Sequence, residues 1–141
     1  MGISHKAMKP AARLALPDYV ELRCVSHFTF LRGASSPAEL VERAQKLGYQ
    51  ALALTDECSM AGVVRAHVAA KAVGLPLLLG SQFRIQPHDA TEASCVLVVL
   101  AQNLNGYGNL CAFITKLRRS SEKGRYHLTL DHITGAELTD C

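Results

Sequence analysis

Apolar and polar positions along this chain fall into short alternating runs separated by helical stripes. From Tyr19 to Val25 the pattern alternates. Val20, Leu22 and Cys24 face one way and Glu21 and Arg23 the other, the period of a half-buried strand. Ser36-Pro-Ala-Glu39 then opens a helix: Ser36 can cap, Pro37 suits the first helical position, and Glu39 can close a capping box. Leu40, Val41, Ala44 and Leu47 form its apolar stripe, and Gly48 stops it. Ala51 to Thr55 is an apolar run of the kind buried on both faces of a sheet. A turn at Asp56-Glu-Cys-Ser59 leads into a helix predicted over Met60 to Val73, ended by Gly74. Pro76 to Gly80 is the next buried strand and continues through Phe83 to Ile85. Residues 86–91 are rich in turn formers. Ser94 to Ala101 is a fourth strand, the most apolar. A third helix follows Asn103, with Tyr107, Leu110, Cys111 and Ile114 on one face. Residues 127–130 fit neither period cleanly.

Strand, helix, strand, helix, strand at a repeat of roughly 25–30 residues predicts right-handed βαβ units in a parallel sheet. Composition narrows the class. The chain has 141 residues, 49% hydrophobic and 19% charged, which excludes a disordered protein. Its longest apolar stretch, around Cys95 to Ala101, falls far short of the ~20 residues a membrane span needs, so no membrane partner is expected.

The formal net charge is +3. Residues 1–17 hold Lys6, Lys9 and Arg13 and no acid, and read as a flexible basic leader without the apolar core of a signal peptide. The remainder is formally neutral, so the broad basic face of a duplex-DNA binder is missing. One cluster stands out. Lys116, Arg118, Arg119, Lys123 and Arg125 are set against Glu122 alone. Cations at a helix end complement the carbonyl pole. The other reading of Lys116, Arg118 and Arg119 is contact with phosphate or a partner. The five cysteines show no CxxC spacing, which speaks against a zinc site and for reduced thiols in a cytoplasmic protein.

In parallel α/β sheets the chemistry collects beyond the carboxyl ends of the strands. Ser26-His27-Phe28 follows the first strand, Asp56-Glu57 the second and Ser81-Gln82 the third. One imidazole, two carboxylates and one amide on one rim could hold a metal ion or a water. The plain alternatives are a hydrogen-bonded His27, an Asp56 that caps the following helix, and a solvated Glu57. His67, between Val64 and Val68, reads as structural. No glycine-rich phosphate loop is present.

At these strand ends the chain resembles a known family. Arg32-Gly-Ala-Ser35, Leu54-Thr-Asp-Glu-Cys58, Ala61-Gly-Val-Val-Arg-Ala-His67 and Gly80-Ser-Gln-Phe83 are similar to the polymerase and histidinol phosphatase (PHP) domain that opens bacterial C-family DNA polymerases. Gly106-Tyr-Gly-Asn-Leu-Cys111, with Ile114-Thr115 and Lys123-Gly124, resembles the error-prone, damage-induced branch. The resemblance covers about residues 18–141. It implies an α/β fold, the first part of a distorted PHP-type (βα)7 barrel with mostly parallel strands, so that 18–141 would be an incomplete PHP domain.

The resemblance also bears on chemistry. PHP domains active on metals carry an H-x-H pair after the first strand, where this chain reads Val25-Ser26-His27. The family's T-D-H reads Thr55-Asp56-Glu57, and the glutamate expected after Gly80 is Gln82. His27, Asp56 and Glu57 are thus the residue-by-residue candidates for a vestigial metal site, and no cofactor is expected for this chain alone. The implied parent is a DNA-directed DNA polymerase for translesion synthesis and repair that uses Mg²⁺. Its partners would be the remainder of the polymerase chain, DNA, the sliding clamp and accessory proteins of induced mutagenesis. The piece itself would be inactive. A small metal-dependent phosphoesterase and a non-catalytic scaffold domain are the competing readings.

Overall fold

The computed structural model describes residues 18–87 and 94–141. The basic leader and His88 lie outside the described residues. The elements run β1 (Val20–Cys24), α1 (Pro37–Leu47), β2 (Ala51–Leu54), α2 (Val63–Val73), β3 (Leu77–Ile85), β4 (Cys95–Leu100) and α3 (Leu104–Arg119). The strands form one sheet in the order β1-β2-β3-β4. The β1–β2 and β2–β3 pairs are parallel, as the βαβαβ pattern predicts.

α1 forms where its local signals place it. The Ser36 side chain accepts from the Glu39 N–H, the Glu39 carboxylate accepts from the Ser36 N–H, and Gly48 closes the helix at φ 80°. α2 begins at Val63 and not at Met60. The Ser59 hydroxyl accepts from the Ala61 N–H at 3.2 Å and the Val63 N–H reaches the Met60 carbonyl at 3.2 Å. Residues 60–62 are therefore a turn, and α2 starts with no side-chain cap at Gly62.

The structure supplies one direction that the sequence reading left open and corrects one expectation. β4 runs antiparallel to β3, from Gly80↔Leu100 to Ile85↔Cys95. Residues 86–94 are fewer than the dozen or so a parallel crossover needs, so the chain returns as a hairpin. Along β1, Val20 and Leu22 are exposed where a buried face was expected. The β1–β2 register shifts between Glu21 and Cys24, which breaks the alternation, and β1 is an edge strand.

The core lies in two clusters. Val41 and Ala44 of α1, Leu52 and Leu54 of β2, and Ala66 and Ala70 of α2 pack together. Phe83, Ile85 and Val99 pack against Leu110, Phe113 and Leu117 of α3, with Leu128 fully buried among them. Met60 touches both clusters. The buried stripe of α3 is Gly106, Leu110, Phe113 and Leu117, rotated from the expected face, so that Tyr107, Cys111 and Ile114 flank it. Gly106 sets that rotation. A Cβ there would lie 1.9 Å from the Asp140 carbonyl oxygen, so only glycine lets residues 138–141 close on the helix. Residues 121–141 hold only two short 3-10 turns, Leu130–His132 and Ala136–Leu138.

Candidate functional site

The loops after β1 and β2 and the outer half of β3 meet at one rim. Asp56 is 1% exposed there. Its Oδ1 accepts from the Ser26 N–H and the Thr29 hydroxyl, each at 2.7 Å, and its Oδ2 accepts from the Ser26 hydroxyl at 2.7 Å. Its backbone carbonyl accepts from the Ser81 hydroxyl at 2.7 Å and the Gln82 N–H at 3.2 Å. The carboxylate therefore ties the loop after β1 to β2, while the backbone ties β2 to β3. It does not cap α2. Gly33 makes the loop fit, since a Cβ there would lie 1.9 Å from the Ser26 carbonyl oxygen.

Glu57 faces a different environment. Arg32 pairs with Oε2, and the Tyr126 hydroxyl donates to Oε1 at 2.8 Å. The Arg84 Nε lies 4.0 Å from Oε1, and the Arg84 backbone N–H donates to the Tyr126 hydroxyl at 2.7 Å. Burial holds the Tyr126 phenol well above its ordinary pKa, so it stays a donor. The Arg118 guanidinium sits 5.5 Å from the centre of the Tyr126 ring and donates to the Cys58 carbonyl from Nε at 3.3 Å and from Nη2 at 3.2 Å. Cys58 adopts φ 46°, in the left-handed region that a side chain rarely occupies. Burial raises its thiol pKa from 9.0 to about 11.

Among the described residues, the side chains of the other predicted rim groups bond to neither carboxylate. The His27 ring packs beside Phe28, with ring centres 4.6 Å apart, and makes no hydrogen bond to Asp56 or Glu57 among the described residues. The Gln82 Oε1 accepts from the Arg23 Nε at 2.9 Å, while its buried Nε2 has no hydrogen-bond partner among the described residues. Among the described residues no three His, Cys, Asp or Glu side chains come close enough to hold a metal ion. The basic cluster divides. The Lys116 Nζ reaches Glu137 at 3.3 Å, Arg118 turns inward, and Arg119 is exposed.

Thr29, Arg32, Arg84 and Tyr126 were missed by sequence reasoning. Arg84 left a signal, as the one charge inside the apolar run from Phe83 to Ile85. Tyr126 left none.

The profile of the PHP domain matches residues 21–139. The chain belongs to the PHP domain family. Within this PHP family it is 57% identical over 120 residues to an error-prone DNA polymerase of Ralstonia nicotianae, covering 85% of this chain and 11% of that protein. It is 56% identical over 132 residues to an error-prone DNA polymerase of Dechloromonas aromatica, covering 91% of this chain and 12% of that protein. The match falls in the N-terminal region of such polymerases, and the chain spans about a tenth of their length. Among solved structures it is similar to a Bifidobacterium adolescentis protein assigned as a metal-dependent phosphoesterase, with a TM-score of 0.59 and 26% identity over 72% of this chain and 34% of that one. It is also similar to an amidohydrolase of Chromobacterium violaceum, with a TM-score of 0.58, 26% identity and the same coverage. The fold of this PHP chain is a mixed α/β partial barrel. No helix among the described residues is long and apolar enough to cross a membrane.

Proposed function

We propose that this chain is the N-terminal PHP portion of an error-prone DNA polymerase and that its role there is structural. The identity of 57% to the Ralstonia nicotianae polymerase carries the reading. The parent would copy damaged template with Mg²⁺ in the cytoplasm, working with the sliding clamp and induced-mutagenesis proteins. Residues 18–141 would form the first part of its PHP domain.

The donor set argues for a vestigial metal centre at His27, Asp56 and Glu57. A cluster of divalent cations needs free anionic oxygens and imidazoles. Here the Asp56 oxygens already accept from three neutral donors. Glu57 is faced by guanidinium groups that repel a second cation. Gln82 is a neutral amide whose oxygen is engaged by Arg23. The residues present do not fit a metal ion.

Reading the genomic frame beyond the codon for Cys141 tests the proposal. Continuation into polymerase sequence is expected. A stop codon there, with purified chain that releases phosphate from phosphoesters in the presence of Mn²⁺, would overturn it. That outcome would favour a small phosphoesterase, the reading that the Bifidobacterium adolescentis neighbour supports.

A further inference from the structure

The loop between β1 and α1 turns its polar residue inward and its apolar ones outward. Thr29 is buried, while Phe30, 82% exposed, and Leu31, fully exposed, stand in water. The mount beneath them is fixed. The Thr29 hydroxyl donates to Asp56 at 2.7 Å and accepts from the Glu57 N–H at 3.0 Å. The Thr29 carbonyl accepts from the Arg32 N–H at 3.2 Å and the Gly33 N–H at 2.9 Å. The His27 N–H reaches the Ser35 carbonyl at 2.8 Å and closes the loop at its base. Leu31 itself sits at φ 63°, in the left-handed region that strains a side chain. A loop free to rearrange would relax that residue and fold its apolar side chains back onto the protein. These hydrogen bonds hold both outward instead. The surroundings are cationic. The exposed Arg65 guanidinium lies 5.6 Å from the centre of the Phe28 ring, and the Arg84 side chain is 52% exposed. Of the nearby carboxylates, Glu57 is paired with Arg32 and Tyr126, and Glu39 serves the cap of α1.

We propose that the Phe30–Leu31 tip is a preformed anchor for a separate protein, which meets it with an acidic segment carrying a large apolar side chain. Aromatic and arginine side chains supply most of the binding energy in protein interfaces. A loop already held in its bound shape loses little freedom when a partner arrives. Acidic residues on the partner complement Arg65 and Arg84, which steers the encounter and rejects basic competitors. A protein fits better than a nucleic acid, because Leu31 offers no ring for a base to stack on. A separate chain is favoured because the tip takes its shape from contacts within residues 26–57 and needs no cover to hold it. The inference does not rest on the polymerase reading.

Selection of displayed random dodecapeptides on the immobilised 141-residue chain tests it. The recovered peptides are expected to combine Asp or Glu with Leu, Phe or Trp. Titrated by fluorescence anisotropy, they should bind Phe30→Ser about tenfold more weakly or worse. Arg65→Gln and Arg84→Gln should also weaken them, and so should added salt. Leu31→Asn is a second variant, since asparagine tolerates the left-handed backbone, and it too should lose affinity. Thermal midpoints unchanged in both tip variants are expected, because neither side chain is packed. The proposal is overturned by the absence of enriched peptides, by enriched peptides of basic or uncharged composition, or by peptides that bind Phe30→Ser as tightly as the parent chain. It is overturned as well by single-stranded DNA that depends on Phe30 and binds more tightly than the peptides. A peptide that binds the 141-residue chain yet not a longer polymerase chain containing it would show that the tip is covered from within, and would overturn the separate partner.

Discussion

Asp56 and Glu57 are neighbours in the chain, yet they sit in opposite electrostatic settings. Asp56 is buried among neutral donors, two hydroxyls and one amide. Glu57 lies in a more open cleft among guanidiniums and a phenol. The first arrangement is geometric, because short hydrogen bonds in a dry site fix one loop to one strand. The second is electrostatic and partly wet, and charge there can be rearranged at little cost. On the proposed reading, a rim of this shape would lose its fit to metal in two ways at once. One carboxylate is taken up by the fold, and the other is neutralised by cations of the protein itself.

The largest effect is expected at the cradle. Asp56→Ala leaves the Ser26 N–H, the Ser26 hydroxyl and the Thr29 hydroxyl without their acceptor in a buried site. Each unsatisfied buried group costs about 1–3 kcal/mol, so a total loss of about 3 kcal/mol or more is expected, enough to unfold a marginal domain. Urea denaturation of the variant beside Glu57→Gln measures the contrast. Equal losses at the two positions would erase the distinction drawn between them.

Alkaline titration should act on the cleft. The Cys58 thiol is raised from 9.0 to about 11 by burial, and the Tyr126 phenol is raised by the same cause. The unfolded chain releases the thiol proton near its ordinary value, while the folded chain holds it. Stability is then complete below pH 9 and falls as pH climbs towards about 11. Cys24, raised to about 11 by burial, adds to the fall. Denaturation midpoints across that window should decline, and the decline should be shallower in Cys58→Ala. A flat profile would show that the cleft does not sense these protons.

What could be read from the chain follows the range of each interaction. α1 was legible to its last residue because Ser36, Pro37, Glu39 and Gly48 act within a turn of the helix they bound. α2 was legible in its body and end, but its start depends on how Ser59 folds back, and no cap residue announces it. The direction of β4 was decided by the length of the connection, and apolar content is silent on that. At the rim, the strand ends brought Asp56, Glu57 and Gln82 together as expected, whereas His27, expected beside them, packs on Phe28 and bonds to neither carboxylate among the described residues. Their partners came from afar: Arg32 lies 25 residues from Glu57, and Tyr126 lies 69. Periodicity carries no information about such pairs.

The smallest effect sharpens the comparison most. Arg32→Gln removes the cation that pairs with Glu57, in a bridge whose arginine side chain is 38% exposed. Exposed ion pairs contribute about 0.2–1 kcal/mol, because water screens them and long side chains lose freedom in forming them. Glu57 keeps the Tyr126 hydroxyl and gains a possible amide donor from the new glutamine. A loss under about 1 kcal/mol is therefore expected, and it should shrink further as salt is added. The same measurement on Asp56→Ala should show little salt dependence, since its contacts are neutral and buried. If Arg32→Gln instead cost as much as Asp56→Ala, the cleft would be a second structural anchor. Its arginines would then be committed to the fold.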